Sequence, residues 1–184
     1  MTGADVLHVL GVLAAVGVRV WVDGGWGADA LLGGQTRPHD DLDLALEHRD
    51  VARFLSAMGD AGFRLLRDDG PFNKVLVDQA GRKVDYRVFD ASATRRTEAG
   101  VSVYGPMGLP YEVGAFGGQG MILGRPVACC TAEFQVRSHV GYEQDEDDLR
   151  DVEAIHPAGA GARALPDDGG PNFPSAISSS VHRR

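Results

Sequence analysis

The segment WVDGGWGADALLGGQTRPHDDLDLAL (Trp21–Leu46) changes backbone character three times. It is entered through VRVWV (Val18–Val22), whose β-branched and aromatic residues predict a short buried strand. The turn DGGWG follows, and WGADALL (Trp26–Leu32) predicts a short helix ending at Gly33-Gly34. Pro38 and the polar residues of 34–41 break any periodicity, so a loop is expected there. DLDLAL (Asp41–Leu46) alternates acid and apolar residues, the period of a half-buried strand. A strand, a glycine turn, a helix and an acid-bearing strand therefore follow one another within a short stretch.

Upstream, residues 4–16 carry Val6, Leu7, Leu10 and Leu13 at helical spacing, and Gly17 is suited to cap that helix. Downstream, residues 49–61 predict a helix with Val51, Phe54, Leu55 and Met58 on one face. Three strands are expected at 63–68, 73–78 and 82–89, with turns at Asp69-Gly70-Pro71 and Gln79-Ala80-Gly81, hence an antiparallel meander. Residues 91–125 are glycine-rich and are expected to form loops and short hairpins covering a site, not a core element. RPVACC (125–130) predicts a strand, and Thr131 caps a helix over 131–142. A last helix is expected over 145–155. Of the 28 residues from Pro157 to Arg184, 17 are Gly, Pro, Ser or Ala, which predicts a disordered tail. The expected organisation is one α+β domain over 1–156, a small mixed, twisted sheet flanked by helices, followed by the tail 157–184.

The whole chain has 184 residues, long enough to bury a core without disulfides. Its 26 acids outnumber 18 Lys plus Arg, a net charge of −8. Such a chain lacks the basic face that general nucleic-acid binding requires, and suits a cationic small molecule or a metal ion. The cysteines, Cys129 and Cys130, are adjacent in sequence; they form neither a disulfide framework nor a metal-binding spacing, which fits a reducing cytoplasm. Neither a secretory signal nor a membrane span is expected: Met1 precedes Thr, Gly, Ala and Asp, and the apolar run Val6–Val22 contains His8 and Arg19.

Three features carry chemistry. Gly24-Gly25 stands between a strand and a helix, where backbone N–H groups can meet a phosphate and glycine permits close approach. Asp41 and Asp43 lie two apart on a strand, so both carboxylates share a face. Two like charges there call for a cation, and oxygen ligands select Mg²⁺ or Mn²⁺. Asp85 lies in the apolar strand KVDYRV and needs a partner. In isolation Asp41 and Asp43 read as a solvated strand end, and Asp85 as a salt bridge to Arg82, Lys83 or Arg87. Together with the glycine turn they point to metal-dependent nucleotidyl transfer, with a hydroxyl attacking an α-phosphorus and pyrophosphate leaving.

The glycine pair, DLDL and VDY together resemble the signature of DNA polymerase β-type nucleotidyltransferases. The longer string 21–46, and CCTAEFQVRSHVGYEQDEDDLRDVEAI (129–155), are similar to small antibiotic nucleotidyltransferases. The lincosamide enzymes are nearest, and the aminoglycoside 2''-nucleotidyltransferases more distant. The resemblance implies a polymerase β-like fold and transfer of AMP from ATP to a hydroxyl of an antibiotic-like small molecule. It makes Asp41 and Asp43 metal ligands and Asp85 the third carboxylate, as ligand, general base or both. Gly24 and Gly25 would hold the β- and γ-phosphates, with Thr36 and Arg37 matching the TR pair ahead of the acids. Homodimerisation to complete the acceptor pocket is a further implication. One departure concerns Arg87, which stands where lincosamide enzymes carry histidine. A guanidinium there opposes a cationic acceptor unless an acid pairs with it.

Rival functions are protein AMPylation and nucleotide binding without transfer. Trp21 and Trp26 read as packing residues, His39 as a loop residue, and Cys129 and Cys130 as strand residues without redox function. The family resemblance makes His139, Tyr142 and Glu143 candidates for the substrate side.

Overall fold

The computed structural model describes residues 1–138 and Ile155. The helix expected at 145–155 (apart from Ile155), the tail, and His139, Tyr142 and Glu143 lie outside the described residues.

Helix α1 (Gly3–Ala15) opens with a capping box in which Asp5 N–H donates to Thr2 Oγ1 and Thr2 N–H donates to Asp5 Oδ2. It closes as expected at Gly17, whose φ of +70° lets Gly17 N–H reach Ala14 O and Val18 N–H reach Leu13 O. Strand β1 (Val20–Asp23) leads directly into α2 (Gly24–Leu32), and Gly33 ends that helix in the left-handed conformation. Strand β2 (Asp41–Glu47) is followed by a 3₁₀ turn and α3 (Val51–Asp60). The meander comprises β3 (Arg64–Asp68), β4 (Asn73–Val77) and β5 (Lys83–Phe89), antiparallel as expected.

Beyond it, β6 (Ala93–Arg96) and β7 (Ser102–Gly105) make a separate hairpin. Strands β8 (Gly118–Ile122) and β9 (Arg125–Cys129) join the main sheet, and α4 (Ala132–Ser138) begins with Thr131 Oγ1 accepting from Phe134 N–H. The main sheet has seven strands in the order β3-β4-β5-β2-β1-β9-β8. The β2–β5 and β1–β9 pairs are parallel and the others antiparallel, so the sheet is mixed, as expected.

One expectation is corrected. Residues 118–122 are not a covering loop but an edge strand of the main sheet. Its glycines serve close approach: a Cβ on Gly120 would lie 2.5 Å from the Ala30 carbonyl carbon, and one on Gly118 would lie 2.5 Å from Cys129 O. Glycine here permits α2 to lie against a strand, where composition alone suggests a loop.

The two faces of the sheet bury different cores. On one, Val22, Leu42, Leu44, Leu46, Val84 and Tyr86 pack under Val6, Val9 and Leu13 of α1, Trp26 and Ala30 of α2, and Phe54 and Met58 of α3. On the other, Trp21, Ala45 and Phe89 pack against Tyr111, Ala115, Cys130 and Phe134. Trp21 Nε1 donates to Phe116 O at 3.0 Å, and the Phe89 and Phe116 rings stand 4.1 Å apart. Both tryptophans are packing residues, as expected, and the acids lie at one end of the aromatic face.

Candidate active site

Strand register assembles the site. Asp43 on β2 is the direct partner of Asp85 on the parallel strand β5, and of Asp23 on the antiparallel strand β1. Three carboxylates thus stand in a row across adjacent strands, whose spacing is about 4.8 Å. Asp41 lies two residues before Asp43 on the same face, opposite Lys83. The row sits at the end of β1 where α2 begins, and at the start of β2.

Asp23 is the member that sequence reasoning missed. It was assigned to the turn, yet the strand runs through it. No local signal marks it, because its place in the row depends on the antiparallel pairing of β1 with β2. Asp23 is buried, accepts from the Tyr111 hydroxyl at 3.3 Å, and is hydrogen-bonded to the Cys130 thiol.

Arg87, two residues beyond Asp85, supplies the charge that the row needs. Its Nη2 lies 3.1 Å from Asp43 Oδ1 and 3.9 Å from Asp85 Oδ2, while Nη1 lies 4.0 Å from Asp23 Oδ2. Arg67, from β3, approaches Asp85 Oδ2 at 4.0 Å and is paired with Asp69 at 2.6 Å. Burial raises the carboxyls of Asp43 and Asp85 above the usual range; Arg87 opposes the rise and neighbouring acids add to it. Burial works against the charge on Arg87, but Asp43, Asp85 and Asp23 outweigh it and hold the guanidinium more firmly protonated. The acid pairing that a guanidinium here requires is therefore present.

Gly24 and Gly25 open α2 beside this row. Gly24 has φ +58°, and a Cβ on it would lie 2.4 Å from Asp43 Oδ2. A Cβ on Gly25 would lie 2.4 Å from His39 Nδ1 and 3.1 Å from Arg37 Nη2. The turn, the acid strand and the loop are thus packed to a tolerance that only glycine meets. Thr36 and Arg37 flank it. Thr36 donates from N–H and Oγ1 to Asp29 Oδ1, at 2.9 and 2.6 Å. The other Asp29 oxygen lies 2.5 Å from His39 Nε2, and the His39 ring packs on Trp26 at 4.9 Å. His39 is 5 % exposed, so it is a buried pillar of the loop rather than an ordinary loop residue.

The donor set suits a hard divalent cation, since it consists of carboxylate oxygens. Asp85 Oδ1 is buried without a hydrogen-bond partner among the described residues, an open position for a cation or a proton. Asn73 Oδ1, also buried, is in the same condition. Among the described residues, no three His, Cys, Asp or Glu side chains are gathered tightly enough to cage a metal alone. Among the described residues no helix is long and apolar enough to cross a membrane.

The chain has relatives among known proteins in both sequence and fold. A family model described as aminoglycoside-2''-adenylyltransferase matches residues 5–155. A lincosamide resistance protein of Staphylococcus haemolyticus is 24 % identical over 157 residues, spanning 84 % of this chain and 94 % of its own. The lincomycin-bound lincosamide antibiotic adenylyltransferase LnuA superposes with a TM-score of 0.70 at 22 % identity, covering 84 % of this chain and 96 % of that one. ANT(2'')-Ia, solved with adenylyl-2''-tobramycin, superposes with a TM-score of 0.65 at 18 % identity, covering 83 % and 86 %. At such identities the structural likeness establishes the fold, which is the polymerase β-like nucleotidyltransferase fold.

Proposed function

The chain belongs to the aminoglycoside-2''-adenylyltransferase family, and from that membership we propose that it transfers AMP from ATP to a hydroxyl of a small antibiotic-like acceptor, releasing pyrophosphate. The observation that carries this reading is the register that sets Asp43 against Asp85 at the point where Gly24 opens α2. A phosphate-binding turn and a cation-binding pair thereby adjoin one another.

Asp41 and Asp43 would hold the divalent cation, Mg²⁺ or Mn²⁺, with Asp85 as third carboxylate. The bound cation would neutralise charge developing on the triphosphate. The N–H groups at the start of α2 would meet the β- and γ-phosphates, where the helix dipole favours negative charge. Glycine at 24 and 25 lets the turn pack against Asp43, His39 and Arg37, which holds the start of α2 beside the acids. Arg37 adds a guanidinium beside Gly25, and Thr36 fixes the loop through Asp29. Asp85 acts as general base: its buried, unpartnered Oδ1 is open to the acceptor proton, and a carboxyl raised by burial takes a proton more readily. Alignment of hydroxyl and α-phosphorus then supplies much of the rate.

The test is a mass-spectrometric transfer assay with Mg²⁺, ATP and pooled lincosamides and aminoglycosides. An AMP increment on one compound, absent with Asp43→Ala, is the expected result. Mg·ATP binding without any increment would move the acceptor to another class, proteins included. Absence of nucleotide binding would overturn the transfer reading.

A further inference from the structure

The row Asp23–Asp43–Asp85 places three carboxylates on neighbouring strands, and this arrangement must be stable before any cation arrives. Arg87 meets that need from within the chain. Its guanidinium lies 3.1 Å from Asp43 and within 4.0 Å of both Asp23 and Asp85. Its register partner on β2 is Ala45, a small side chain on Asp43's face of that strand. Its register partner on β4 is Asn73. Asn73 is 8 % exposed, and its Oδ1 is buried with no hydrogen-bond partner among the described residues. Directly opposed side chains in an antiparallel pair have Cβ atoms about 5 Å apart. An arginine bound to an acid on one side therefore has an unused buried acceptor on the other.

We propose that Arg87 is a two-position positioning residue, bonded to Asp43 in the resting protein and turned to Asn73 Oδ1 when a divalent cation takes Asp43. The inference rests on the reading of Asp43 and Asp85 as cation ligands. In its first position the guanidinium keeps the row assembled. In its second it satisfies Asn73 and leaves Asp43 to the cation. An orphaned buried carbonyl oxygen costs free energy, so its capture offsets part of the lost ion pair. Arg87 is 31 % exposed at its side chain, which allows the turn without disturbing the core.

The experiment is a double-mutant cycle read by Mn²⁺ binding, followed by electron paramagnetic resonance without nucleotide. Arg87→Met should bind Mn²⁺ at least about tenfold more tightly than wild type, because the competing cation is gone. Arg87→Lys, which keeps a charge, should fall between. Asn73→Ala should bind about threefold or more weakly in the wild-type background, yet have no effect in the Arg87→Met background. On the wild-type protein, the Arg87 Nε–H signal should shift in NMR as Mg²⁺ is added. This readout needs no variant to fold. Equal Mn²⁺ affinity in wild type and Arg87→Met, or an equal effect of Asn73→Ala in both backgrounds, overturns the inference alone. A wild-type Arg87 signal unmoved by saturating Mg²⁺ does the same. Absence of Mn²⁺ binding in every variant overturns the inference together with the ligand assignment beneath it.

Discussion

The space that a side chain on Gly24 would fill belongs to Asp43. A Cβ there would lie 2.4 Å from Asp43 Oδ2, and Gly24 also holds φ at +58°. Gly24→Ala must therefore strain the backbone and displace the carboxylate at once. The expected cost is about 1–3 kcal/mol of stability, read by urea denaturation. Calorimetry should show weaker Mg·ATP binding. Wild-type nucleotide affinity in this variant would separate the glycine turn from the phosphate site.

Asp43→Asn and Asp85→Asn keep shape and remove charge. On the proposed reading of Asp43 as a cation ligand, Asp43→Asn should lower turnover by about a hundredfold or more. Asp85→Asn should lower kcat with little change in the KM for ATP, since the acceptor proton loses its destination. Steady-state kinetics on an identified acceptor distinguishes the two. A rise in KM alone for Asp85→Asn would remove the base role.

Asp29 is 2 % exposed and serves both Thr36 and His39. Asp29→Ala leaves the buried imidazole and the loop N–H without their acceptor. The expected loss is on the order of 3 kcal/mol, measured by denaturant melts. The KM for ATP should rise as well, because the loop that carries Arg37 loses its anchor.

Much of this site could be read from the chain. Alternation in DLDLAL placed Asp41 and Asp43 on one face, and the isolated acid of KVDYRV marked Asp85. Gly17 and Gly33 marked helix ends because the left-handed conformation is a local requirement. The remainder depends on partners distant in sequence. Asp23 joins the row only through antiparallel pairing with β2, and Asn73 meets Arg87 only through β4. Asp29 and His39 are ten residues apart, with a helix end and a loop between them. The glycines of β8 point to a loop by composition, but Gly120 accommodates the backbone of α2 and Gly118 that of Cys129 and Cys130, packing roles with no local signature.

Both thiols are inaccessible. Cys129 and Cys130 are 0 % exposed; burial pushes the Cys129 thiol up to about 11 and raises the Cys130 thiol as well, with Asp23 adding to both. Native protein at pH 8 should react with a thiol reagent at neither cysteine, and at both once unfolded. Mass spectrometry of alkylated peptides checks this. Rapid native labelling of Cys130 would show that the aromatic face opens.

Acid should release the start of α1. Hydrogen bonds from Thr2, then Arg82, lower the Asp5 carboxyl to about 2, below its ordinary value of 3.8. A depressed folded-state value stabilises fully above the unfolded value, and the stabilisation is lost as pH falls through the folded one. Asp5→Ala should cost about 1 kcal/mol at pH 7, solvent screening included. The difference from wild type should shrink as pH falls below 3.8 and vanish only below pH 2, as followed by chemical denaturation at each pH.

The division of the sheet between two unlike cores has an evolutionary consequence. The acid row takes its spacing from strands gripped on one face by α1, α2 and α3. The opposite face is closed by residues from a later part of the chain, 104–134. Substitution or lengthening of that later part can remodel what lies beside the row while the strand register beneath it is kept. Change in the covering segment can therefore alter what borders the row without disturbing the strands that carry it.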